Sequence, residues 1–273
     1  PRLSRNARTW CRGKSPRSSG VSAKRPPVPP IAPQDTAPRR PGNGAPRKRK
    51  EAGRPYDARM STDPVFHWAR IAAPGKNFAA LGKLIEETTL PALERQGGRR
   101  WALANGLFGL WNHEVILVTS WDVGSIGAEL LASNLPAGAS VVDSYEFLAT
   151  ARPSDDQPLS KPGIYVHRLF GVDAANIDRF VSLSDEAWKT FETATDYESQ
   201  PTGLFRQREH PATGGLMLLV TWYDRLESWE RSRAPAPEAA ANFRERAMIT
   251  TRSMALATRL VGTNPGSRGM GGG

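Results

Sequence analysis

The sequence predicts an α+β fold in which one chain carries two similar β-α-β-β-α-β halves. Two apolar phrases support this interpretation, one at residues 114–122 and one at residues 215–224. Each contains Val-Thr and ends with an aromatic residue directly before an aspartate, and the two aspartates lie 102 positions apart. Gly-Leu-Phe stands before each phrase, at residues 106–108 and 203–205, 97 positions apart. The repeated phrases indicate an internal duplication.

The first half shows the elements of one ferredoxin-like unit in chain order. Aromatic and β-branched residues predict a strand at 65–71, and apolar residues at helical spacing predict a helix from residue 78 that Pro91 interrupts. A hairpin follows, and both faces of its second strand are apolar, which is typical of a strand covered on both sides. The hairpin strands, the second helix and the last strand are predicted at 105–111, 114–121, 123–133 and 141–149.

The second half repeats this order after a linker at 152–163 that is rich in Pro and charged residues. A strand at 164–170 precedes the clearest amphipathic helix of the chain, at 177–191. Asp224 is predicted to be the N-cap of a later helix, with Glu227 as its capping-box partner. The other predicted elements are a hairpin at 203–209 and 216–223, a helix at 238–247 and a last strand at 248–261.

Charge and composition divide the chain into four segments. Residues 1–59 carry 16 basic and three acidic residues with few large aliphatics, which predicts a disordered basic leader. Met60 is therefore interpreted as the natural first residue. The two halves are assigned to 60–155 and 156–262, and a Gly-rich tail to 263–273. The chain after the leader holds 37−16 = 21 basic and 27−3 = 24 acidic residues, so its charge predicts no nucleic-acid binding.

A ferredoxin-like sheet has helices on one face, so an apolar second face needs another cover. A second copy can provide it, and this arrangement resembles the dimeric α/β-barrel superfamily, in which two such sheets pack into a barrel. Here both sheets would lie in one chain as a pseudo-dimer. Within the superfamily, Thr221-Trp-Tyr-Asp224 followed by Leu226-Glu-Ser-Trp-Glu230 resembles the NIPSNAP-like group. That resemblance brings no invariant catalytic motif, so catalytic residues stay unassigned.

Aromatic and basic residues on the strands form the predicted ligand site. Superfamily monooxygenases that work without a cofactor have Trp, Asn and Arg around an apolar cavity, and this chain resembles them in carrying similar groups. The competing interpretation is that the aromatic residues only pack the core. The candidate ligand-binding residues are Trp68, Arg70, Trp121, Tyr165, His167, Arg168, Trp222 and Tyr223.

Two histidines, His67 and His167, lie in the first strands of the two halves. Haem-binding members of the superfamily use an axial histidine, so the resemblance implies haem on His167 as a minor alternative. The other interpretation makes His167 a hydrogen-bonded wall residue. The sequence contains no His/carboxylate pattern with metal-site spacing, so neither a metal nor any other cofactor is predicted.

Three functions follow from these patterns. The first is a NIPSNAP-like protein that binds a small apolar or aromatic ligand or a protein partner. The second is a cofactor-independent monooxygenase, or an isomerase or cyclase, acting on an aromatic small molecule. The third is a haem-binding barrel. The only cysteine, Cys11, lies in the leader, and no apolar run reaches the roughly 18–20 residues of a membrane span. A cytoplasmic protein is predicted, and a homo-oligomer is left open.

Overall fold

The computed structural model describes residues 63–75, 78–122 and 127–262, without the side chain of Phe78. The predicted leader, the start at Met60 and the Gly-rich tail therefore lie outside the described residues. The first four residues of the helix predicted at 123–133 lie outside them as well.

The first half contains four strands and three α-helical segments. Its elements are β1 Val65–Ala72, α1 Phe78–Leu84, a π-helical segment Ile85–Thr89, α2 Leu90–Glu94, β2 Arg99–Phe108, β3 Glu114–Trp121, α3 Gly127–Ser133 and β4 Ser140–Arg152. Pro91 lies in the first turn of α2, which follows the π-helical segment directly, and the residues at the junction, Thr89 and Leu90, keep helical backbone angles. The helical run therefore continues through Pro91 to Glu94, with the π-helical segment as its irregularity.

The second half repeats the pattern with a longer first helix. Its elements are β5 Ile164–Val172, a 3₁₀ turn Ala174–Asn176, α4 Ile177–Phe191, β6 Ser199–Gln207, β7 Gly215–Tyr223, α5 Leu226–Arg231, α6 Pro237–Met248 and β8 Thr250–Leu260. The predicted capping box is wrong, because the N-cap of α5 is Arg225 and it makes no side-chain cap. The carboxylate of Asp224 accepts a 2.6 Å hydrogen bond from Arg225, and Glu227 pairs with Arg231 at 2.5 Å.

The eight strands form one closed antiparallel barrel in the order β1-β3-β2-β8-β5-β7-β6-β4. Within each half the order is the same, β4-β1-β3-β2 and β8-β5-β7-β6. The halves meet at two seams, where β2 pairs with β8 and β4 pairs with β6. The predicted fold, two ferredoxin-like units packed as a pseudo-dimeric barrel, is confirmed.

Strand registers define which positions of the two halves correspond. Val65 lies opposite Trp121 in the first half, and Ile164 lies opposite Tyr223 in the second. Val65 and Ile164 are therefore equivalent. Three residues further along each strand, Trp68 in β1 corresponds to His167 in β5, so His167 is not the counterpart of His67. The two histidines therefore lie on opposite faces of equivalent strands.

The barrel interior is filled with apolar side chains. Seventeen buried residues form this cluster: Phe66, Trp68, Trp101, Ala102, Ala104, Ile116, Val118, Phe147, Tyr165, Leu169, Phe205, Leu216, Leu218, Val220, Trp222, Leu256 and Leu260. The ring of Phe205 packs against Phe66 and Trp101, with centroids 4.9 and 5.4 Å apart. Aromatic rings in edge and tilted contact fill space efficiently, so the interior is a core.

The linker between the halves crosses one end of this core. The indole of Trp222 donates to the carbonyl of Pro162 at 3.0 Å, and the hydroxyl of Tyr165 donates to the carbonyl of Lys161 at 2.8 Å. The ammonium group of Lys161 lies 3.2 Å from the Trp222 ring centroid. These contacts tie the linker to the aromatic residues that end the barrel. In the part of the chain that the structure describes, no helix is long and apolar enough to cross a membrane.

Candidate functional site

Four of the predicted site residues lie inside the barrel. They are Trp68, Tyr165, His167 and Trp222, and all are buried. The indole of Trp68 donates to Nδ1 of His167 at 3.3 Å, while Tyr165 and Trp222 hold the linker. Their polar groups therefore serve the packing of the barrel, in agreement with the competing interpretation of these residues as core.

The other four predicted residues divide between three places. The guanidinium of Arg70 pairs with Asp143 at 2.5 Å and Glu114 at 3.7 Å, so it is a structural ion pair. The ring of Trp121 belongs to the core under the first-half helices. Only Arg168 and Tyr223 line an open cavity. The eight residues do not form a single site.

That cavity lies outside the barrel, between the second-half sheet and the helices α4 and α6, and its volume is about 460 Å³. Strand positions that point away from the barrel interior form its floor. Its apolar walls are Val166, Phe170, Trp188, Phe191, Leu219 and Phe243. Hydroxyl groups also line it, from Thr221, Tyr223, Ser232, Thr250 and Ser253. The cavity has the size and composition typical of a small-molecule site.

Four arginines, Arg168, Arg233, Arg246 and Arg252, also line the cavity. Among the described residues around it, none is an aspartate, glutamate, histidine, lysine or cysteine. The cavity therefore combines apolar walls with an excess of positive charge, and its described lining offers no carboxylate or imidazole as a general base.

Arg246 is the most deeply placed of these arginines, with only 6% of its surface exposed. It extends from α6 toward α4, where its Nη1 donates to Ser184 Oγ at 3.0 Å. Its guanidinium lies between aromatic rings, 4.8 Å from the centroid of Phe243 and 5.1 Å from that of Phe170. These stacking contacts fix the plane of the guanidinium and hold it at the cavity wall.

Burial and mutual repulsion perturb the ionisable groups of the cavity. Burial, reinforced by the positive charge of Arg168, lowers the pKa of Arg246 to about 10. Burial also lowers the pKa of Arg168, with a contribution from Arg233. For Tyr223, burial raises the pKa although the nearby arginines oppose the shift. The guanidinium groups stay charged at neutral pH at a cost in free energy, because like charges lie together in a poorly solvated place.

Sequence reasoning missed Arg246 and most of the cavity walls. On the helix α6 the arginine stands among Arg, Glu and Ala residues, a pattern typical of a solvated face. Its burial results from the packing of α6 against α4, which no local pattern reveals. A weak signal existed at Arg168, a charged residue in the middle of an apolar strand.

The structure does not favour His167 as a haem ligand. The ring is wholly buried among barrel aromatics, and although Nε2 has no partner, Nδ1 already accepts from Trp68. Of the described residues that line the cavity under α4 and α6, none is a histidine, cysteine or methionine. In the described part of the chain, no group of three His, Cys, Asp or Glu residues could hold a metal ion.

Comparison with known proteins supports the fold. No protein-family model matches the chain, and no curated protein matches it. An anthrone oxidase-like protein superposes with a TM-score of 0.51 at 11% identity, over 73% of this chain and 92% of that one. A mutant chlorite dismutase from Candidatus Nitrospira defluvii gives 0.48 at 9% identity, over 73% and 92%. A ferredoxin-fold protein from Listeria monocytogenes, described as related to antibiotic biosynthesis monooxygenases, gives 0.43 at 11%, over 73% and 96%.

Proposed function

We propose that this protein binds a small molecule with an apolar body in the cavity between the second-half sheet and the helices α4 and α6. The observation that carries this proposal is the cavity itself, about 460 Å³ with aromatic and aliphatic walls. Sites of roughly 300–1,000 Å³ with few polar groups are typical of small-molecule binding. The barrel interior is the less suitable place, because aromatic side chains already fill it.

A cavity-blocking variant tests the proposal. The neutral dye N-phenyl-1-naphthylamine fluoresces in apolar sites, so its titration reports binding directly. Ala247 lines the cavity from α6, and Ala241 lies exposed on the same helix away from the cavity. We expect the wild-type protein to bind one dye molecule. Ala247→Trp should weaken binding at least about tenfold, which corresponds to about 1.4 kcal/mol. Ala241→Trp should leave the affinity unchanged. Equal binding by both variants would refute this location.

Cofactor-independent oxygenation, isomerisation or cyclisation of an aromatic substrate is the second candidate. The observation that favours it is the group of arginines, which can stabilise an anionic phenol or enol and so promote its formation. These reactions need a group that accepts a proton, and the described lining contains no carboxylate or imidazole. The phenol of Tyr223 is then the group left for proton transfer, which favours binding without catalysis. Oxygen uptake with a phenolic substrate, measured with and without the protein, tests oxygenation. Isomerisation and cyclisation consume no oxygen, so chromatography of the recovered substrate tests them.

Several finer expectations from the sequence stay predictions. They are membership of the NIPSNAP-like group, cytoplasmic location and a homo-oligomeric state. Haem stays a prediction too, and the contacts of His167 do not support it. An absorbance spectrum of the purified protein tests haem directly, since bound haem gives a Soret band. Size-exclusion chromatography with light scattering tests the oligomeric state.

A further inference from the structure

We propose that the ligand is an amphipathic organic anion whose acidic group lies between Arg168 and Arg246 and whose apolar body lies against Phe170 and Phe243. This inference rests on the proposed function and adds the charge class of the ligand. It goes beyond an apolar or aromatic ligand, because it requires an acidic group such as a carboxylate, sulfonate or phosphate.

The first argument is that the cavity arginines lack carboxylate partners. Elsewhere in the described chain arginines form ion pairs, as Arg99 does with Asp122 at 3.0 Å and Arg208 with Glu146 at 3.0 Å. Among the described residues, no ion pair includes any of the four cavity arginines. Arg246 is buried and Arg168 is partly buried, whereas Arg233 and Arg252 are exposed to solvent. A buried charge without a counter-charge is unfavourable, so the unpaired Arg246 and Arg168 favour a ligand that supplies the opposite charge.

The second argument is the geometry of Arg246. One of its terminal nitrogens donates to Ser184, and three aromatic rings surround its guanidinium, with centroids at 4.8, 5.1 and 5.3 Å. A guanidinium has five N–H donors in a planar fork that suits an acidic group with two oxygens. The stacked rings fix the direction of that fork in advance, which lowers the entropy lost when an anion binds.

The third argument is that Tyr223 can add a donor to the same anion. Its hydroxyl lies 3.4 Å from Ser232 Oγ, whose own proton is donated to the carbonyl of Trp229 at 2.7 Å. A contact of this length is weak, so the phenol can donate its proton to a better acceptor in the cavity. Two guanidinium groups and one phenol together form a donor set that matches the oxygens of a carboxylate or phosphate.

The apolar walls decide between an organic anion and a simple inorganic one. Phe170, Trp188, Phe191 and Phe243 occupy much of the lining, and a small hydrated ion would leave their surface without a partner. Phe170, Trp188 and Phe191 are already buried and Phe243 is partly buried, so an apolar body would contact these rings and cover the little apolar surface that they leave exposed. The cavity therefore fits an amphipathic anion better than inorganic phosphate.

A pair of related dyes provides the test. 1-Anilinonaphthalene-8-sulfonate has the rings of N-phenyl-1-naphthylamine and one added sulfonate. The difference between the affinities of the two dyes therefore measures how much the negative charge contributes to binding. For the full chain we expect the sulfonate dye to bind at least about tenfold more tightly, as expected for a partly buried charge-assisted hydrogen bond. Inorganic phosphate should displace it only at far higher concentration.

Two arginine variants locate the effect. Arg246→Met and Arg168→Met should each weaken the sulfonate dye about tenfold or more and change the affinity of the neutral dye by less than about threefold. Arg179→Met is the matched control, because Arg179 is exposed on α4 and pairs with Glu245 on α6 outside the cavity. Thermal melts of each variant show that it is folded before the titration, and two separate cavity variants keep the test valid if one of them fails to fold.

The outcomes separate this inference from the proposed function. If neither dye binds, the proposed function itself fails. If both dyes bind with equal affinity to the wild-type protein, the cavity binds small molecules and the anion inference is wrong. A preference for the sulfonate that survives in both arginine variants would also overturn it. If phosphate displaced the dye at a concentration similar to that of the dye, the cavity would be a site for an inorganic anion, and the proposal of an amphipathic ligand would be wrong.

Discussion

The two halves of the barrel share strand order and register but differ in what lies between the sheet and the helices. Ala69 in the first half corresponds to Arg168 in the second, because each lies opposite a leucine of the neighbouring strand in the same register. By the same counting, Trp121 corresponds to Tyr223. The first-half pair contributes to an apolar core, whereas the second-half pair lines a cavity. The two halves therefore contain equivalent layers, and side-chain differences leave a candidate site in the second of them.

Trp121 shows how the first-half layer is packed. A Cβ atom at Gly98 would lie 2.7 Å from the Trp121 ring, and one at Gly127 would lie 2.9 Å from its indole nitrogen. The ring therefore lies between two backbone segments that only glycine lets approach so closely. Its indole donates to Thr119 at 2.8 Å, so the buried N–H is satisfied. A tryptophan that is 2% exposed and held in this way stabilises the half that lacks the cavity.

The largest effect on stability is expected for Trp121→Ala. The substitution would open a cavity in the first half where the second half already has one, and truncating a buried aromatic costs about 3–5 kcal/mol. Chemical denaturation measures the loss in the free energy of unfolding. The control is Trp111→Ala, because Trp111 is 71% exposed and its removal should change stability by less than about 0.5 kcal/mol. Similar losses for both variants would show that Trp121 does not fill the first half as described.

The buried histidines predict a loss of stability in acid. Burial lowers the pKa of His67 to about 4 and that of His167 to about 3, from an ordinary value of 6.5. Below pH 6.5 the unfolded chain takes up protons that the folded protein does not, so stability falls as the pH decreases toward 4. Between pH 7 and 4.5 each histidine should cost about 2 kcal/mol.

Single variants show how much each histidine contributes to the loss of stability at low pH. His67→Gln should remove part of the pH dependence by eliminating the histidine on the helix-facing side of β1. His167→Gln should remove a similar part by eliminating the histidine inside the barrel. Urea denaturation at pH 7 and pH 4.5 gives the difference for each protein. A pH dependence that is unchanged in both variants would mean that neither histidine is buried in its neutral form.

A matched pair of methionine substitutions tests the contrast at equivalent strand positions. Arg168→Met removes a partly buried charge that repels Arg246, and we expect it to stabilise the ligand-free protein by about 1 kcal/mol. Ala69→Met places the same side chain in the filled layer, where overpacking should destabilise by about 1–3 kcal/mol. Melting temperatures report both signs. Destabilisation by both substitutions would indicate that Arg168 contributes to stability, contrary to a role in binding.

The fold could be predicted from the sequence because similar apolar patterns, which specify strands and helices locally, occur in both halves. It also identified Arg168 and Tyr223, whose polar groups stand out in apolar strands. It could not separate these two from Trp68 and Trp222, since the face of a strand that meets the barrel interior depends on closure at the β2–β8 and β4–β6 seams. The role of Arg246 could not be predicted from the sequence for a similar reason, because only the packing of α6 on α4 buries this residue.

A crystal structure of the full chain with 1-anilinonaphthalene-8-sulfonate would test the central claim most directly. The account predicts one dye molecule between the second-half sheet and the helices α4 and α6, with sulfonate oxygens within hydrogen-bonding distance of Arg168 and Arg246. No dye should lie beneath the first-half helices, where Trp121 occupies the equivalent position. Electron density for the dye inside the barrel beside Trp68 and His167, or at the first-half layer, would contradict the account.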